Sequence, residues 1–190
     1  MRKLILFMHT SLDGFVAGPN GEMNWIHVDE EIFDYGGKLI DQADTALYGR
    51  VTYEMMENYW PTAADKPNAS KHDIEHSRWY KKVTKVVISK TMKDAHIPNT
   101  QIISSNIPEQ IQTLKQKQGK NILIFGSPTA SHTLMQYNLI DEFWLFQNPI
   151  IITKGTPLFK NVSQKLNLKL IDAKVFSSGV IGLHYKKLLN

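Results

Sequence analysis

The sequence has no cysteine among its 190 residues. This absence excludes disulfide bonds, a thiol nucleophile, cysteine-ligated zinc and iron–sulfur clusters. It also suits the cytoplasm, where disulfides are rare. No apolar run approaches the roughly 20 residues of a membrane-spanning helix, and no cleavage site follows the basic, apolar start of the chain. We therefore expect a soluble, cytoplasmic protein that has no membrane partner.

Acidic residues are scarce outside the first third of the chain. Residues 1–60 hold ten Asp and Glu against four Lys and Arg, whereas the whole chain has a net charge of +4. A positive total and a pI of about 9.1 permit a nucleic-acid binder. However, the lysines of the last third lie along alternating strands, a pattern typical of solvent-facing edge protection. We therefore expect no nucleic-acid partner.

Apolar runs of strand length alternate with segments of helical period, which indicates an α/β domain with a mostly parallel sheet. Predicted strands cover residues 3–8, 45–48, 85–89, 101–104, 121–125 and 142–152. Predicted helices cover residues 29–42, 51–58, 108–118 and 128–137.

The end of the chain changes character. Residues 166–176 and 180–187 alternate apolar and polar around a Ser-Ser-Gly turn, which predicts an antiparallel hairpin at the sheet edge. That edge also makes a homodimer one expected state. Residues 61–76 are predicted to be a polar surface segment. Without an internal repeat or a low-complexity tract, residues 1–190 are expected to form a single domain.

Neither the Rossmann fingerprint Gly-x-Gly-x-x-Gly nor a P-loop is present, but one strand end still has the form of a phosphate site. The strand breaks at Gly49 and enters a helix that carries Arg50 and Thr52 in its first turn. An arginine can bind a phosphate bidentately, and a helix N-terminus favours anions. Alternatively, the glycine is only part of a turn.

A second strand end has the same form. Gly126 allows close approach of a ligand to the backbone, and Ser127 can cap a helix that begins at Pro128 and continues with Thr129. A pyrophosphate would fit against the amides of this turn.

A third strand ends with Ser89 and Lys90, which are suitable partners for an additional phosphate on an adenosine ribose. Together with Arg50, they favour NADP over NAD if the ligand is a dinucleotide. The alternative is that these two side chains are a solvated strand end.

These segments, with several others, resemble one family. The pattern is similar to the dihydrofolate reductase-like superfamily, in the branch named for the C-terminal reductase domain of the bifunctional riboflavin-biosynthesis deaminase/reductase. The resemblance covers nearly the whole chain. It is carried by Ser11-Leu12-Asp13-Gly14-Phe15-Val16-Ala17, Trp25, Gly49-Arg50-Val51-Thr52-Tyr53-Glu54, Ser89-Lys90, Phe125-Gly126-Ser127 and Leu139-Ile140-Asp141-Glu142.

The resemblance implies a three-layer αβα fold, with a mixed, mostly parallel sheet, a C-terminal hairpin and NADPH as hydride donor. It also implies that a loop over residues 18–25 closes on the nicotinamide. One departure is Ser127, which stands where related chains have a second glycine. The implied cofactor contacts are Arg50 and Thr52 to the phosphates, Ser89 and Lys90 to the ribose phosphate, Gly126 and Ser127 to the pyrophosphate, and Ala17 and Gly18 to the nicotinamide.

The resemblance also points to acids on the substrate side. Dihydrofolate reductases place a buried carboxylate on the first helix, shortly after a tryptophan. Here Trp25 is followed by Asp29 and Glu30, so Trp25 and Asp29 are predicted to contact the substrate, and Glu30 to supply a proton from a buried carboxyl with a raised pKa. Asp13 is the second catalytic candidate. Each acid also has a structural alternative, because helix starts favour acids and Asp13-Gly14 suits a turn.

The sequence therefore predicts an NADPH-dependent reductase that acts on a small heterocycle or another C=N or C=O substrate. Two reactions are candidates: the reduction of a riboflavin precursor and the reduction of a dihydrofolate-like substrate. The alternative function is that of a non-catalytic module that binds a dinucleotide or another ligand. His72 and His76 are four residues apart, but no third ligand has suitable spacing. We therefore predict no metal site.

Overall fold

A mixed β-sheet forms the middle layer of the protein. The computed structural model describes residues 1–92, 97–160, 162 and 164–188. Its elements are β1 (Leu4–Thr10), β2 (Phe15–Ala17), α1 (Glu30–Ile40), β3 (Ala43–Gly49), α2 (Arg50–Ala63), α3 (Lys71–Lys82), β4 (Thr84–Ile88), β5 (Thr100–Ile103), α4 (Ile107–Gln116), β6 (Asn121–Phe125), α5 (Pro128–Gln136), β7 (Glu142–Gln147), β8 (Thr156–Pro157), β9 (Leu168–Val175) and β10 (Ile181–Lys187).

Parallel pairing aligns most of this sheet. Within the described residues the strand order is β5-β4-β3-β6-β1-β7-β10-β9, and the strands from β5 to β7 are all parallel. Strand β10 is antiparallel to both β7 and β9. The predicted mostly parallel sheet and C-terminal hairpin are confirmed. Because β1 and β3 to β7 are parallel, their carboxyl ends lie along one edge, where open α/β sheets bind ligands.

Both faces of the parallel part of the sheet are covered by helices, which explains why the strands of that part are largely apolar. Along β1, Leu4, Leu6 and Met8 belong to the core that includes residues of α4 and α5. Ile5 faces the opposite core, which includes residues of α1, α2 and α3. The three-layer arrangement predicted from the family resemblance is therefore present. Among the described residues, no helix combines the length and apolar character that crossing a bilayer requires.

Most of the polar segment predicted over residues 61–76 lies at the surface, as expected, but the segment contains the ends of two helices. Helix α2 continues to Ala63, and α3 begins at Lys71. The Ser70 side chain and Asp73 form a capping box, which starts α3 in spite of its polar composition. Helix α3 buries only a narrow stripe, so its sequence has the polarity of a loop.

The predicted strand over residues 142–152 is too long. Strand β7 ends at Gln147, because Asn148 starts a turn and Pro149 has no N–H with which to continue the ladder. The buried Asn148 amide instead donates to the carbonyl oxygens of Phe146 and Thr10, at 3.1 and 3.3 Å. The end of β7 is therefore tied to the end of β1.

A buried ion pair at the opposite edge of the sheet gives a stability prediction. The Lys115 Nζ donates to Asp141 Oδ1 at 2.8 Å, and Asp141 Oδ2 accepts the Leu4 N–H at 2.8 Å. We expect Lys115→Met to lower the free energy of unfolding by about 2–4 kcal/mol, because it leaves a partly buried carboxylate without its counter-charge.

Urea denaturation measures this loss. The control is Lys81→Met, which removes an exposed lysine 3.8 Å from Asp65. Its loss should be below about 1 kcal/mol. Equal losses in the two variants would contradict the importance of the buried pair.

Candidate active site

A cleft of about 480 Å³ at the carboxyl ends of the parallel strands gathers most of the predicted cofactor residues. The side chains on its wall are mainly hydroxyl-bearing and aliphatic, with two cations and, among the described residues, no carboxylate. The predicted residues that line it are Gly49, Arg50, Thr52, Ser89, Lys90, Ser127 and Thr129. We call it the strand-end cleft.

Two helix N-termini meet at the strand-end cleft. Helices α2 and α5 both begin there, and neither has an acidic residue in its first turn. The N-cap of α2 is Gly49, which has no side chain, and the Ser127 side chain does not cap α5. The free N–H groups and the positive ends of the helix dipoles favour an anion at this point.

Ser127 holds the two strand ends together. Its Oγ accepts the Gly49 N–H at 2.9 Å, so the expected side-chain cap on α5 is wrong. Gly126 and Ser127 both have left-handed backbone, with φ of 55° and 57°. A left-handed serine costs roughly 1 kcal/mol or more, and such strain is common at binding sites. The small Ser127 side chain therefore keeps this turn next to α2.

The charged side chains of the strand-end cleft are exposed. Arg50 donates to the Glu54 carboxylate at 2.8–2.9 Å, which makes an i,i+4 ion pair on the surface of α2. Such a pair contributes only about 0.3–0.5 kcal/mol, so a phosphate can replace Glu54 as the partner of Arg50. Lys90 is exposed as well. The buried Ser89 Oγ accepts the Thr91 and Met92 N–H groups, at 3.2 and 2.9 Å, which fixes the turn that carries Lys90.

The predicted nicotinamide residues lie beside the strand-end cleft. Ala17 is paired in a two-stranded ribbon with Thr156, which lines the cleft. The ribbon is so tight that a Cβ on Gly155 would lie 2.0 Å from the Ala17 carbonyl oxygen, and Gly155 has φ of 152°. Gly18 begins the loop that follows and donates its N–H to the Glu22 carbonyl at 2.9 Å.

The predicted closing loop is held by hydrogen bonds. Trp25 donates its Nε1–H to the Glu22 carbonyl at 3.1 Å, and the His27 N–H donates to Asn148 Oδ1 at 2.8 Å. The chain just after the loop is thereby attached to the residue that follows β7.

The acidic candidates have different surroundings. The exposed Asp13 carboxylate accepts from Ser11 Oγ at 2.7 Å and from the Thr153 N–H at 2.8 Å. The hydrogen bond from Ser11, with help from backbone N–H groups, keeps the pKa of Asp13 below its usual value. Asp13 is therefore ionised at neutral pH, and it joins two loops.

The two acids at the start of α1 differ in how firmly they are held. Asp29 is the N-cap, with Oδ1 accepting the Ile32 N–H at 2.9 Å. Glu30 is exposed, so the expectation of a buried carboxyl is not met, but it lies at the edge of a second, larger cavity.

Comparison with known proteins identifies the family. The family model described as the RibD C-terminal domain matches residues 2–182. The chain belongs to the RibD C-terminal domain family. The Bacillus subtilis protein YyaP, whose function is uncharacterised, is 36% identical over 188 residues, which cover 97% of this chain and 94% of YyaP.

Solved structures of low sequence identity share the fold of this RibD C-terminal domain. A Thermotoga maritima deaminase/5-amino-6-(5-phosphoribosylamino)uracil reductase has a TM-score of 0.67 at 13% identity, over 98% of this chain and 57% of that one. An Enterococcus faecalis dihydrofolate reductase complexed with NADP(H) has a TM-score of 0.64 at 14% identity, over 97% of this chain and 96% of that one. The dihydrofolate reductase-like fold predicted from the sequence is thereby confirmed.

Sequence reasoning missed His9, at the carboxyl end of β1 in the RibD C-terminal domain. Its ring stacks on Phe146 with centroids 5.0 Å apart, and burial lowers its pKa to about 4. The available signal was one imidazole in the apolar run Leu-Ile-Leu-Phe-Met-His-Thr. Among the described residues, no group of three His, Asp or Glu side chains is placed to hold a metal.

The imidazole of His76 on α3 is buried and enclosed by aromatic rings, with its centroid 4.0 Å from that of the Trp60 ring. Burial lowers its pKa to about 3. In the unfolded chain a histidine takes up a proton near pH 6.5, so the unfolded state binds more protons as the pH falls below that value. The free energy of unfolding must therefore decrease, by up to about 1.4 kcal/mol per pH unit for each such histidine.

We expect His76→Phe to keep the aromatic packing and to lower by about one the number of protons that the chain takes up on unfolding between about pH 6.5 and pH 4. The free energy of unfolding should then fall less steeply with decreasing pH. Urea unfolding at a series of pH values measures the slope. A slope equal to that of the parent protein would contradict the assignment of His76 as a neutral buried group.

Proposed function

We propose that this protein is an NADPH-dependent reductase that acts on a small heterocycle or another substrate with a reducible C=N or C=O bond. The observation that carries the proposal is the strand-end cleft, where two helix N-termini and two cations converge and where the described residues contribute no carboxylate. Such a surface suits a ligand with several phosphates. The family and its reductase neighbours support the same activity.

The residues present fit NADPH. Arg50 and Lys90 would hold its phosphates, Thr52 and Thr129 can add hydrogen bonds, and Ser127 keeps the two helix N-termini together. Ile88, Ile103 and Ile107 give the cleft an apolar portion that suits an adenine ring. Ala17 and Gly18 would face the nicotinamide. When bound, the cofactor would supply the hydride.

The chain must then orient the substrate and supply a proton. Glu30 is our candidate for the proton, because Asp29 is committed to capping α1 and Asp13 to joining loops. The segment from Gly18 to Trp25 would exclude water from the hydride donor. The substrate is either an aminopyrimidine, as the name of the Thermotoga enzyme describes, or a pterin-like ring, as for a dihydrofolate reductase.

A non-catalytic binding module is the second candidate. It is favoured by the exposure of Glu30, since a proton donor in water is less easily tuned. NADPH binding without accelerated NADPH oxidation by any heterocyclic substrate would favour the module over the reductase.

Arg50→Ala tests the cofactor assignment. Loss of a charge-assisted contact to the extra phosphate should weaken NADPH binding at least about tenfold and NADH binding less than about threefold. Quenching or enhancement of cofactor fluorescence gives both dissociation constants. The control Lys117→Ala removes an exposed cation outside the cleft and should change neither constant. Equal losses for the two cofactors in Arg50→Ala would refute the role of Arg50.

Glu30→Gln tests the proton route. We expect NADPH oxidation with an active substrate to slow at least about tenfold, while the dissociation constant for NADPH stays within about twofold. The neighbouring Glu31→Gln is a matched control, because Glu31 pairs with Lys174 at 2.9 Å and does not line the larger cavity. Unchanged turnover in Glu30→Gln would move the proton route to another group.

A further inference from the structure

His9, at the carboxyl end of β1, is a polar side chain that the proposed function does not use. Its ring stacks on Phe146 at an angle of 24°, and the ring of Phe7 makes a T-shaped contact with it, with centroids 6.1 Å apart. The His9 side chain is nevertheless only partly buried. The two aromatic contacts therefore fix the imidazole while part of it stays accessible.

The amide of Asn148 determines which ring nitrogen of His9 carries the hydrogen. Asn148 Oδ1 accepts the His27 N–H. Asn148 Nδ2 donates to the carbonyl oxygens of Phe146 and Thr10, so the orientation of the amide is set by its partners. Nδ2 lies 3.5 Å from His9 Nδ1. Because an amide NH2 group offers no lone pair, His9 Nδ1 faces it as an acceptor, and the hydrogen of the neutral ring is on Nε2.

The Nε2–H group of His9 is a hydrogen-bond donor that no described residue uses. Nε2 has no recorded acceptor in the described part of the chain, and it is not among the fully enclosed atoms. Burial of the ring lowers the pKa of His9 to about 4, so the imidazole is neutral at pH 7 and keeps one donor. A neutral imidazole that is held in place can donate to a carbonyl oxygen of a ligand.

Two segments that border the proposed cofactor site meet at His9. The Phe7 carbonyl, two residues earlier on β1, accepts the N–H of Gly126 in the turn at the strand-end cleft at 3.1 Å. On the other side, Asn148 connects His9 with His27, which follows the closing loop. His9 therefore lies between that turn and the end of the closing loop.

Strand β2 brings the proposed nicotinamide residues to the same place. The Ser11 N–H donates to the Phe15 carbonyl at 2.8 Å, so the chain reverses after β1 and β2 runs back beside it. Two residues along the chain from each member of this pair are His9 and Ala17, which therefore lie level with each other. His9 is thus beside the end of the cofactor that the proposed function assigns to Ala17 and Gly18.

The backbone of Gly18 is not free to bind that end of the cofactor. Its N–H donates to the Glu22 carbonyl at 2.9 Å, and its carbonyl accepts the Gly21 N–H at 3.0 Å. A nicotinamide carries a carboxamide, and the oxygen of this group needs a donor when it leaves water. The Nε2–H of His9 can provide one.

We propose that His9 is a cofactor-positioning residue, whose Nε2–H donates a hydrogen bond to the carboxamide oxygen of the nicotinamide. This inference rests on the proposed function, because that function supplies the nicotinamide. The contact would fix the orientation of the ring that carries the hydride, and a fixed orientation is what a hydride transfer requires of the protein.

His9→Phe tests the contact with the full chain and two probes. Phenylalanine keeps a ring against Phe146 and removes the donor. One probe is NADPH, and the other is 2′-phospho-ADP-ribose, which has the same phosphates but no nicotinamide. In isothermal titration calorimetry, we expect His9→Phe to weaken NADPH binding about three- to tenfold. The dissociation constant of 2′-phospho-ADP-ribose should stay within about twofold of its value for the parental protein.

His72→Phe is the matched control. His72 also stacks on a phenylalanine, Phe33, and it does not line the strand-end cleft, so this variant should leave both dissociation constants unchanged. Equal weakening of the two probes in His9→Phe would overturn the inference, because a general disturbance of the site would then account for the loss. Unchanged NADPH binding in His9→Phe would overturn it as well.

A second measurement covers the case in which His9→Phe fails to fold. In the parental protein with ¹⁵N-labelled histidine, nuclear magnetic resonance should show the hydrogen of His9 on Nε2 at neutral pH. NADPH should shift the Nε2–H signal, and 2′-phospho-ADP-ribose should leave it in place. A hydrogen on Nδ1, or the same shift with both probes, would contradict the proposed contact.

The two probes also separate this inference from the proposed function. If neither probe binds the parental protein, the cofactor assignment fails and the role of His9 fails with it. If both probes bind and His9→Phe weakens both or neither, the role of His9 fails and the cofactor assignment stands. Arg50→Ala should weaken both probes, since each carries the additional phosphate.

Discussion

The parallel alignment of β3, β6 and β1 is the constraint on which the rest of the structure depends. It brings the carboxyl ends of three buried strands to one edge, and two hydrogen bonds then hold these ends together. Gly126 donates its N–H to the Phe7 carbonyl at 3.1 Å, and Gly49 donates its N–H to Ser127 Oγ at 2.9 Å. Without this alignment the N-termini of α2 and α5 would not meet at the strand-end cleft.

The strand end at Phe125 also separates two environments. The Phe125 ring packs edge-on against His76, with centroids 5.8 Å apart, and His76 lines the larger cavity between α1 and α3. The next residues, Gly126 and Ser127, form the turn at the strand-end cleft. One short segment thus has an acidic, aromatic cavity on one side and a cationic, hydroxyl-rich cleft on the other. The acidic first third of the chain supplies three of the four carboxylates that line the larger cavity, namely Glu30, Asp34 and Asp41.

The strand ends could be predicted because they depend on local chemistry. Buried parallel strands are apolar on both faces, and Gly49, Ser89 and Gly126 interrupt them where a turn must follow. Parallel pairing then brings their neighbours into one cleft. The order of the strands is a long-range property, and it came only from the structure.

The larger cavity between α1 and α3 was hidden from sequence reasoning for a physical reason. A helix that buries only a narrow stripe, as α3 does, has the composition of a loop, so its aromatic and charged side chains had no assigned surface. Gly37 was equally uninformative, because the sequence does not show whether a helical glycine avoids a clash, as Gly36 does, or faces open space, as Gly37 does. The difference lies in what a Cβ would meet, and that is set by residues distant in the chain. A groove between two helices is therefore visible only once both helices are placed.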